Sequence, residues 1–394
     1  MKKILCNWYY ERQDLTKHLL ELTEKTQLTF IAKHHRPQKD ERENLASENL
    51  SIIYWGDYNS PYQILDAVQP DLVIFHDIEA FNQIALNIAA KNRKIKTYVL
   101  QHGLRGGYEV DDAFTNAAKN GKMEISNTSW WTLKFLLRSL KLKNLLHLFP
   151  LIKFIVARKK NELTVALYKN QFELRRADLY VEFSKANATY HKIRDGIPDN
   201  RFVLIGNPSY DDFYERIKNI SQEVNTEPYA LLIDSPFLEA NFVQKQRMST
   251  EEKNGYIKRL NEYCKQKKIK LLIKLHPLSY GAAYLYTDEN IQYARNADIV
   301  QLIGRAELVF LVHFSTLAPL VIHQKPFFFF GNKYFEHNDF ISSLSIPIYD
   351  LINFSPLELA NSEPHPPLKA EAIVDYLFIP DGKATERLKQ LILS

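Results

Sequence analysis

The sequence predicts an α/β protein of two domains, each built on a parallel β-sheet. Short apolar runs, which are typical of buried strands, alternate along the chain with segments of helical periodicity. This alternation is the pattern of βαβ units, in which helices connect parallel strands. A chain of 394 residues is longer than an ordinary domain with a single hydrophobic core. We therefore expect two domains of about 150–200 residues.

The first domain is predicted over residues 1–208. Helical segments separate its strands, for example a polar one around 14–25 and another over 80–92. The apolar runs that indicate strands are Lys3–Cys6, Leu28–Ala32, Asn49–Trp55, Asp71–Phe75, Lys96–Leu100, Leu179–Ser184 and Phe202–Ile205. Gly206 and Asn207, followed by Pro208, end this domain, because their turn chemistry stops regular structure.

The second domain is predicted over residues 229–394, after a polar linker at 209–228. Its strands are predicted at Tyr229–Ile233, Ile269–Leu275, Glu307–Val312 and Pro326–Phe330, and its helices at Thr250–Lys267, Ala297–Arg305 and Ser315–His323. Ala384–Leu393 has the pattern of an amphipathic helix. In two-domain folds of this kind such a helix often packs back on the first domain.

Composition and charge indicate a folded protein that does not bind nucleic acid by charge. The chain is 45% hydrophobic and 25% charged, with a net charge of +5. Cys6 and Cys264 lie in apolar or helical contexts, so we interpret them as reduced thiols. The N-terminus becomes polar too early for a signal peptide, and no apolar run approaches the roughly 20 residues of a spanning helix. The sequence therefore predicts a cytoplasmic protein.

A basic, leucine-rich insertion near 128–160 interrupts the first domain. From Trp130 to Lys160 the chain has no acidic residue. This composition is typical of a helix on an anionic membrane, although two core-packed helices whose lysine stems face water would share it. We favour a peripheral position at the inner face of the cytoplasmic membrane. The residues expected to make this contact are Trp130, Trp131, Lys134, Arg138 and Lys141.

Two strand ends in the second domain carry residues suited to a phosphate-bearing ligand. The carboxyl ends of parallel strands collect ligands in open α/β sheets, and hydroxyl and backbone N–H groups at a helix start bind anions. This pattern predicts a nucleotide-sugar site. A strand-capping histidine, an exposed edge lysine and a plain helix cap remain structural alternatives. The residues concerned are Lys274, His276 and Pro277 at the end of one strand, and His313, Ser315 and Thr316 after the other.

Four motifs together resemble the bacterial surface-polysaccharide glycosyltransferases of GT-B type. They are Gln101-His102-Gly103, Gly206-Asn207-Pro208, the Lys274-to-Pro277 motif, and Ser315-Thr316 after His313. Their order is similar to that of the polysialyltransferases, capsular Kdo-transferases and CDP-glycerol glycerophosphotransferases. The resemblance implies two Rossmann-like domains that face a cleft. It also implies a nucleotide-sugar donor and no metal or other cofactor.

The resemblance assigns roles to individual residues. It implies that His276 stabilises the departing phosphate. The catalytic base stays open between His102, Asp77 and Asp111, since the acidic pair at 111–112 lacks the glycine that follows it in sialyltransferases and polysialyltransferases. The residues expected to hold the donor are Lys274, His276, Pro277, His313, Ser315, Thr316, Asp234, Ser235, Gly206 and Asn207.

We therefore expect a glycosyltransferase that moves a CMP-activated sugar, sialic acid or Kdo, to a capsule or lipopolysaccharide glycan. The expected partners are the nucleotide-sugar donor, a glycan or lipid-linked acceptor and the inner-membrane surface. Two other enzyme activities remain as alternatives: a UDP-sugar glycosyltransferase and a sugar-nucleotide 2-epimerase. A non-catalytic protein that binds glycan or lipid is a third.

Overall fold

The computed structural model describes two compact units. One contains Met1–Ser209 and Lys383–Ser394, and the other contains Tyr210–Gly382. Among the described residues, the pairs between strands of each sheet are parallel, as the βαβ pattern predicts. The described residues are 1–8, 13–32, 48–101, 127–160, 163–220, 227–239, 247–281, 284–313, 317–332 and 344–394.

A parallel sheet forms the centre of the first unit. Its strands are β1 (Lys2–Asn7), β2 (Thr26–Ala32), β3 (Leu50–Tyr54), β4 (Leu72–Phe75), β5 (Lys96–Leu100), β6 (Leu179–Glu182) and β7 (Phe202–Leu204). Among the described residues they form a seven-stranded sheet in the order β3-β2-β1-β4-β5-β6-β7. The register places Ile4 of β1 between Leu28 and Leu72. The strand order reverses between β1 and β4, which is the doubly wound arrangement.

Helices flank this sheet, and their ends follow ordinary capping rules. Ser60 begins the second helix by accepting a hydrogen bond from the Gln63 N–H, with Pro61 at the first helical position. Gly196, at a φ of +65°, ends the helix that Ser184 begins. The helices are α1 (Gln13–Leu20), α2 (Pro61–Val68), α3 (Phe81–Asn92), α4 (Asn127–Leu137), α5 (Leu148–Lys160), α6 (Leu163–Lys169) and α7 (Lys185–Asp195).

The basic insertion forms α4, a 3-10 turn at Leu142–His147, and α5. Phe135 and Leu136 of α4, with Leu151 and Phe154 of α5, are buried in the core of the first unit. One face of each helix therefore packs into this core. Within the described ranges, no helix combines the length and the apolar character needed to cross a membrane.

The second unit contains a parallel sheet of the same kind. Its strands are β8 (Tyr229–Ile233), β9 (Lys270–Lys274), β10 (Ile291–Ala294), β11 (Leu308–Leu311), β12 (Phe327–Gly331) and β13 (Ile348–Asp350). Over the described residues the order is β10-β9-β8-β11-β12-β13, which reverses between β8 and β11. The helices are α8 (Asp211–Ile217), α9 (Thr250–Gln266), α10 (Ile299–Arg305), α11 (Ala318–Gln324), α12 (Pro356–Ala360) and α13 (Val374–Leu377).

The described part of the predicted linker at 209–228 differs from a polar linker. Residues 211–217 form α8, which belongs to the second unit. Phe213 and Tyr214 are buried, while Asp212 and Glu215 are exposed. The two aromatic side chains and the ion pair between Arg216 and Asp298 anchor this short helix, although its composition is mostly polar.

The C-terminal helix α14 (Ala384–Leu393) belongs to the first unit. Leu388 and Ile392 are buried in a cluster with apolar residues of β1, β2 and β4. Two hydrogen bonds fix the helix further. Lys2 Nζ donates to the Ile392 carbonyl at 2.7 Å, and Arg387 Nε donates to the Ile205 carbonyl at 2.7 Å.

We expect Ile392→Ala to lower the free energy of unfolding of the first unit by about 2–4 kcal/mol, because it leaves a cavity against the sheet. Leu393→Ala is the matched control, since Ile392 is 1% exposed and Leu393 is 37% exposed. All four tryptophans lie in the first unit, so urea unfolding followed by tryptophan fluorescence reports on it. Equal losses in the two variants would contradict this packing.

Candidate donor site

The candidate site lies at the carboxyl ends of three adjacent strands of the second unit. Asp234 and Ser235 follow β8, His276 follows β9, and His313 follows β11. Because β8 lies between β9 and β11 in a parallel sheet, these residues emerge along the same edge. The strand order reverses between β8 and β11, where open α/β sheets bind their ligands. The structure therefore brings four of the predicted residues together.

Ser235 and His313 are joined across the point where the strand order reverses. The Ser235 hydroxyl and Nδ1 of His313 share a hydrogen bond. The His313 ring also contacts Phe237 edge to face, with 5.9 Å between the ring centroids. Burial, followed by the charge of His276, lowers the pKa of His313 to about 4. The imidazole is therefore neutral near pH 7, and it orients the Ser235 hydroxyl without adding charge.

His276 is held by its backbone and by its ring. Its N–H donates to Asp234 Oδ2 at 3.2 Å, and its Nδ1 accepts from the Leu278 N–H at 3.2 Å. Pro277 begins the 3-10 turn in which Leu278 lies. Desolvation lowers the pKa of His276, against the opposing effect of the Asp234 and Glu239 carboxylates. Since Nδ1 accepts a hydrogen bond, the neutral ring carries its proton on Nε2, which can donate to a phosphate oxygen.

Lys253 of α9 lies behind these residues with no solvent exposure. Its Nζ is 3.2 Å from Asp234 Oδ1 and 3.3 Å from Glu239 Oε1. Nζ also donates to the Ser279 hydroxyl at 3.4 Å, and Glu239 accepts from the Tyr284 hydroxyl. A buried ammonium group needs such partners, because an unpaired charge in the interior is strongly unfavourable. Lys253 thus connects α9 to the ends of β8 and β9.

The sequence analysis did not identify Lys253, but the sequence carries a signal for it. Lys253 is in line with an apolar stripe at helical spacing, and the whole stripe is buried in the structure. A lysine within such a stripe indicates a buried charge that requires a carboxylate partner. The stripe consists of Tyr256, Ile257, Leu260 and Cys264.

Lys274 is the last residue of β9 and lies next to Ala294 of β10. Its Nζ donates to the carbonyl groups of Leu275 and Arg295 and to the Tyr280 hydroxyl. Its ammonium group also lies 5.4 Å from the centre of the Tyr280 ring. These contacts hold Lys274 beside β10, so we leave it out of the donor-site proposal.

Gly206 and Asn207 belong to the first unit, whereas His276 and His313 belong to the second. Gly206 has a φ of +83°, which favours glycine, and Asn207 Oδ1 accepts from the Ser209 N–H at 3.0 Å. These two residues therefore build the turn after β7. Their proposed contact with the donor rests on the sequence alone.

Asp77 is part of a buried ion-pair network in the first unit. It is 4% exposed, and Arg194 Nη2 donates to its two carboxylate oxygens at 2.9 and 3.2 Å. The same guanidinium pairs with Asp195 at 2.8 Å, and carboxylate charges including that of Asp77 raise the pKa of Arg194 against the effect of its burial. A carboxylate held in this way stabilises the fold. We therefore interpret Asp77 as a structural residue and withdraw it as a candidate base.

Gln101, the described residue of its motif, is buried at the end of β5. Its amide donates to Glu182 Oε2, at the end of β6, at 3.5 Å. Four predicted site residues lie outside the described residues, so their positions stay predictions. They are His102, Asp111, Ser315 and Thr316.

The predicted membrane residues separate into two groups. Trp130 is 59% exposed, with Lys134 Nζ 5.4 Å from its ring centre. Trp131 instead stacks on Phe135 at 4.8 Å and packs against the core of the first unit. We therefore correct the prediction for Trp131, because the α4 helix turns these adjacent indoles to different surroundings.

Arg138 and Lys141 are exposed but have contacts within the protein. Arg138 Nη1 donates to the Asn59 carbonyl at 2.6 Å, and Lys141 Nζ lies 4.8 Å from the centre of the Tyr62 ring. They stabilise the contact between the insertion and the start of α2. A contribution to membrane attraction remains a prediction for both.

Comparison with known proteins identifies the family. The family model for alpha-2,8-polysialyltransferases matches residues 11–301, which is more than half of the chain. The chain belongs to the alpha-2,8-polysialyltransferase family. This result confirms the predicted group and the predicted enzyme class. The protein is a nucleotide-sugar-dependent glycosyltransferase of polysaccharide biosynthesis that uses a glycan acceptor.

Solved structures confirm the predicted GT-B fold of this polysialyltransferase-family member. The wall teichoic acid polymerase TagF has 13% identity and a TM-score of 0.52, with 100% of this chain and 88% of that chain covered. The glycotransferase of kitacinnamycin has 10% identity and a TM-score of 0.52, with 100% and 99% covered. The calicheamicin glycosyltransferase CalG4 has 9% identity and a TM-score of 0.50, with 100% and 94% covered. At these identities the similarity shows the fold alone. A search of curated proteins found no sequence that matches this chain.

We expect Lys253→Met to destabilise the second unit by about 3–5 kcal/mol, because it leaves Asp234 and Glu239 without their buried counter-charge. Urea unfolding followed by far-ultraviolet circular dichroism measures this loss. Lys258→Met is the control, since Lys258 is exposed on the same helix. The double variant Lys253→Met/Asp234→Asn should recover part of the loss. A single variant as stable as Lys258→Met would contradict the role of the ion pair.

Proposed function

We propose that this enzyme transfers sialic acid or Kdo from its CMP-activated form to a capsule or lipopolysaccharide glycan. The family match supports this donor class, since the family name specifies transfer of sialic acid. The observation that carries the proposal is the pair of imidazoles at the ends of β9 and β11, with the Ser235 hydroxyl beside them. Neutral N–H and O–H donors suit a single phosphate whose charge increases as the sugar departs.

In the proposed reaction an acceptor hydroxyl attacks the anomeric carbon of the donor sugar. The bond between that carbon and the phosphate oxygen breaks, and CMP leaves with the electron pair. His276 donates a hydrogen bond from Nε2 to the phosphate as its charge develops. Asp234 does not touch the substrate in this scheme. It positions His276 through the backbone N–H that it accepts.

The remaining roles in the proposed reaction come from the sequence. Ser315 and Thr316 follow His313 after one intervening residue, Phe314, and we propose that their hydroxyls bind the same phosphate. The proton of the acceptor hydroxyl needs a base. His102 and Asp111 are the remaining candidates for it, because Asp77 is occupied by Arg194.

We also propose that the transfer needs no bound metal. Asp234 and Glu239 are acidic residues beside the candidate donor site, and Lys253 supplies their positive counter-charge. A lysine in this position takes the place that a divalent cation would need. The rate of transfer should therefore be the same with and without EDTA.

The proposed place of action is the inner face of the cytoplasmic membrane, where a lipid-linked glycan acceptor would lie. The basic insertion supports this proposal, since it has no acidic residue from Trp130 to Lys160. The exposure of Trp130 and Lys134 supports it as well. Aromatic and basic side chains together favour an anionic lipid surface.

We expect CMP to raise the thermal midpoint of the wild-type protein by several degrees, because a ligand that binds only the folded state stabilises it by mass action. UDP, GDP and dTDP should have no such effect. The CMP shift should be lost in His276→Ala and kept in His365→Ala, a control histidine in the same unit. A shift with UDP alone, or a CMP shift that survives in His276→Ala, would contradict the proposed donor site.

A further inference from the structure

Helix α5 and the 3-10 turn before it carry large apolar side chains that face solvent. We call these five residues the apolar ridge, which consists of Leu142, Leu146, Phe149, Ile152 and Val156. Their exposed fractions are 85%, 90%, 78%, 56% and 45% in that order. Single exposed apolar residues are common on proteins, but such a concentration within one short segment marks an interaction surface.

Helix α5 is apolar on two opposite sides. Leu151 and Phe154 are at most 1% exposed, and Phe154 contacts Phe172 with 5.5 Å between ring centroids. Phe149, Ile152 and Val156 follow one another at spacings of three and four, so they form a single stripe on the outer side. The inner side packs in the core of the first unit. The outer stripe is the part of the helix that a partner would cover.

The charged residues beside the apolar ridge indicate which kind of partner would bind it. Lys141 and Lys143 flank Leu142, and Lys153 follows Ile152; all three are exposed. No acidic residue occurs between Trp130 and Lys160. A second copy of this chain would bring equal positive charges together, which is unfavourable. An anionic bilayer instead takes up the apolar side chains and attracts the lysines, whose stems reach along the apolar surface to the headgroups.

We propose that the apolar ridge inserts into an anionic lipid bilayer, with Lys141, Lys143 and Lys153 at the level of the headgroups. This inference rests on the proposed function. It adds to the proposed membrane contact the residues that enter the bilayer. Trp131 is not among them, because it packs in the protein. Insertion would hold the first unit at the surface that carries a lipid-linked acceptor.

Vesicle flotation of the full-length protein tests the proposal. The vesicles contain phosphatidylcholine alone or phosphatidylcholine mixed with phosphatidylglycerol. We expect the wild-type protein to bind only the mixed vesicles. The double variant Phe149→Glu/Ile152→Glu should lose about tenfold or more in affinity, because two carboxylates would have to enter the apolar layer. The matched control is Leu357→Glu/Ile379→Glu, which changes exposed apolar residues of the second unit and should bind as the wild type does.

Three results would overturn the proposal. The first is equal vesicle binding by the ridge variant and the control. The second is equal binding of the wild type to neutral and anionic vesicles, which would remove the argument from charge. The third is a wild-type dimer by light scattering that becomes a monomer in the ridge variant, since a second copy would then cover the ridge.

The experiment distinguishes this inference from the proposed function. Both double variants should keep the CMP-dependent thermal shift, because none of the substituted residues belongs to the candidate donor site. This shift also verifies that the variants are folded. If the wild-type protein bound vesicles but CMP did not raise its thermal midpoint, the proposed donor would be wrong. The proposal for the apolar ridge would be unaffected.

Discussion

The ion pair between Lys253 and Asp234 determines how the candidate donor site is built. Separating the two side chains would leave an unpaired charge in the interior. The ion pair therefore holds α9 against the end of β8. Asp234 also accepts the N–H of His276, which extends the constraint to the end of β9. The position of His276, and with it the direction of its Nε2 proton, therefore depends on a lysine that has no solvent exposure.

The first six strands of each unit follow the same order in the sheet, but the residues at their carboxyl ends differ. In the first unit the end of β4 carries Asp77, which is occupied by Arg194. In the second unit the buried carboxylate after β8 is neutralised from behind by Lys253, and Ser235 and His313 lie at the neighbouring positions. The pKa values of both imidazoles are lowered by burial, which favours the neutral rings near pH 7, so the second site presents hydrogen-bond donors with little added charge. Such a site suits a monophosphate leaving group better than a bound cation.

The sequence predicts the central strands well, because buried parallel strands are continuous apolar runs. It does not predict β10 and β13, which lie at the edges of their sheet and are partly exposed. It also does not predict α8, because Phe213 and Tyr214 are surrounded by charged residues in the sequence. Edge strands and short helices depend on tertiary contacts, which local composition does not reveal.

The same limit applies to the candidate site. His276, His313 and Ser235 could be predicted because they lie within two residues of the end of an apolar strand. The interpretation of Asp77 required Arg194, which is far away in the sequence and adjacent only in the fold. Trp130 and Trp131 are consecutive, and only the orientation of α4 shows which one is exposed.

Transfer from defined donors tests the central claim most directly. The wild-type protein and His276→Ala would be incubated with CMP-sialic acid, CMP-Kdo or UDP-hexoses, a fluorescent oligosaccharide acceptor and EDTA, with product masses read by mass spectrometry. The account predicts addition of sialic acid or Kdo, with release of CMP, by the wild type and not by His276→Ala. Transfer from a UDP-hexose with none from either CMP donor would contradict it.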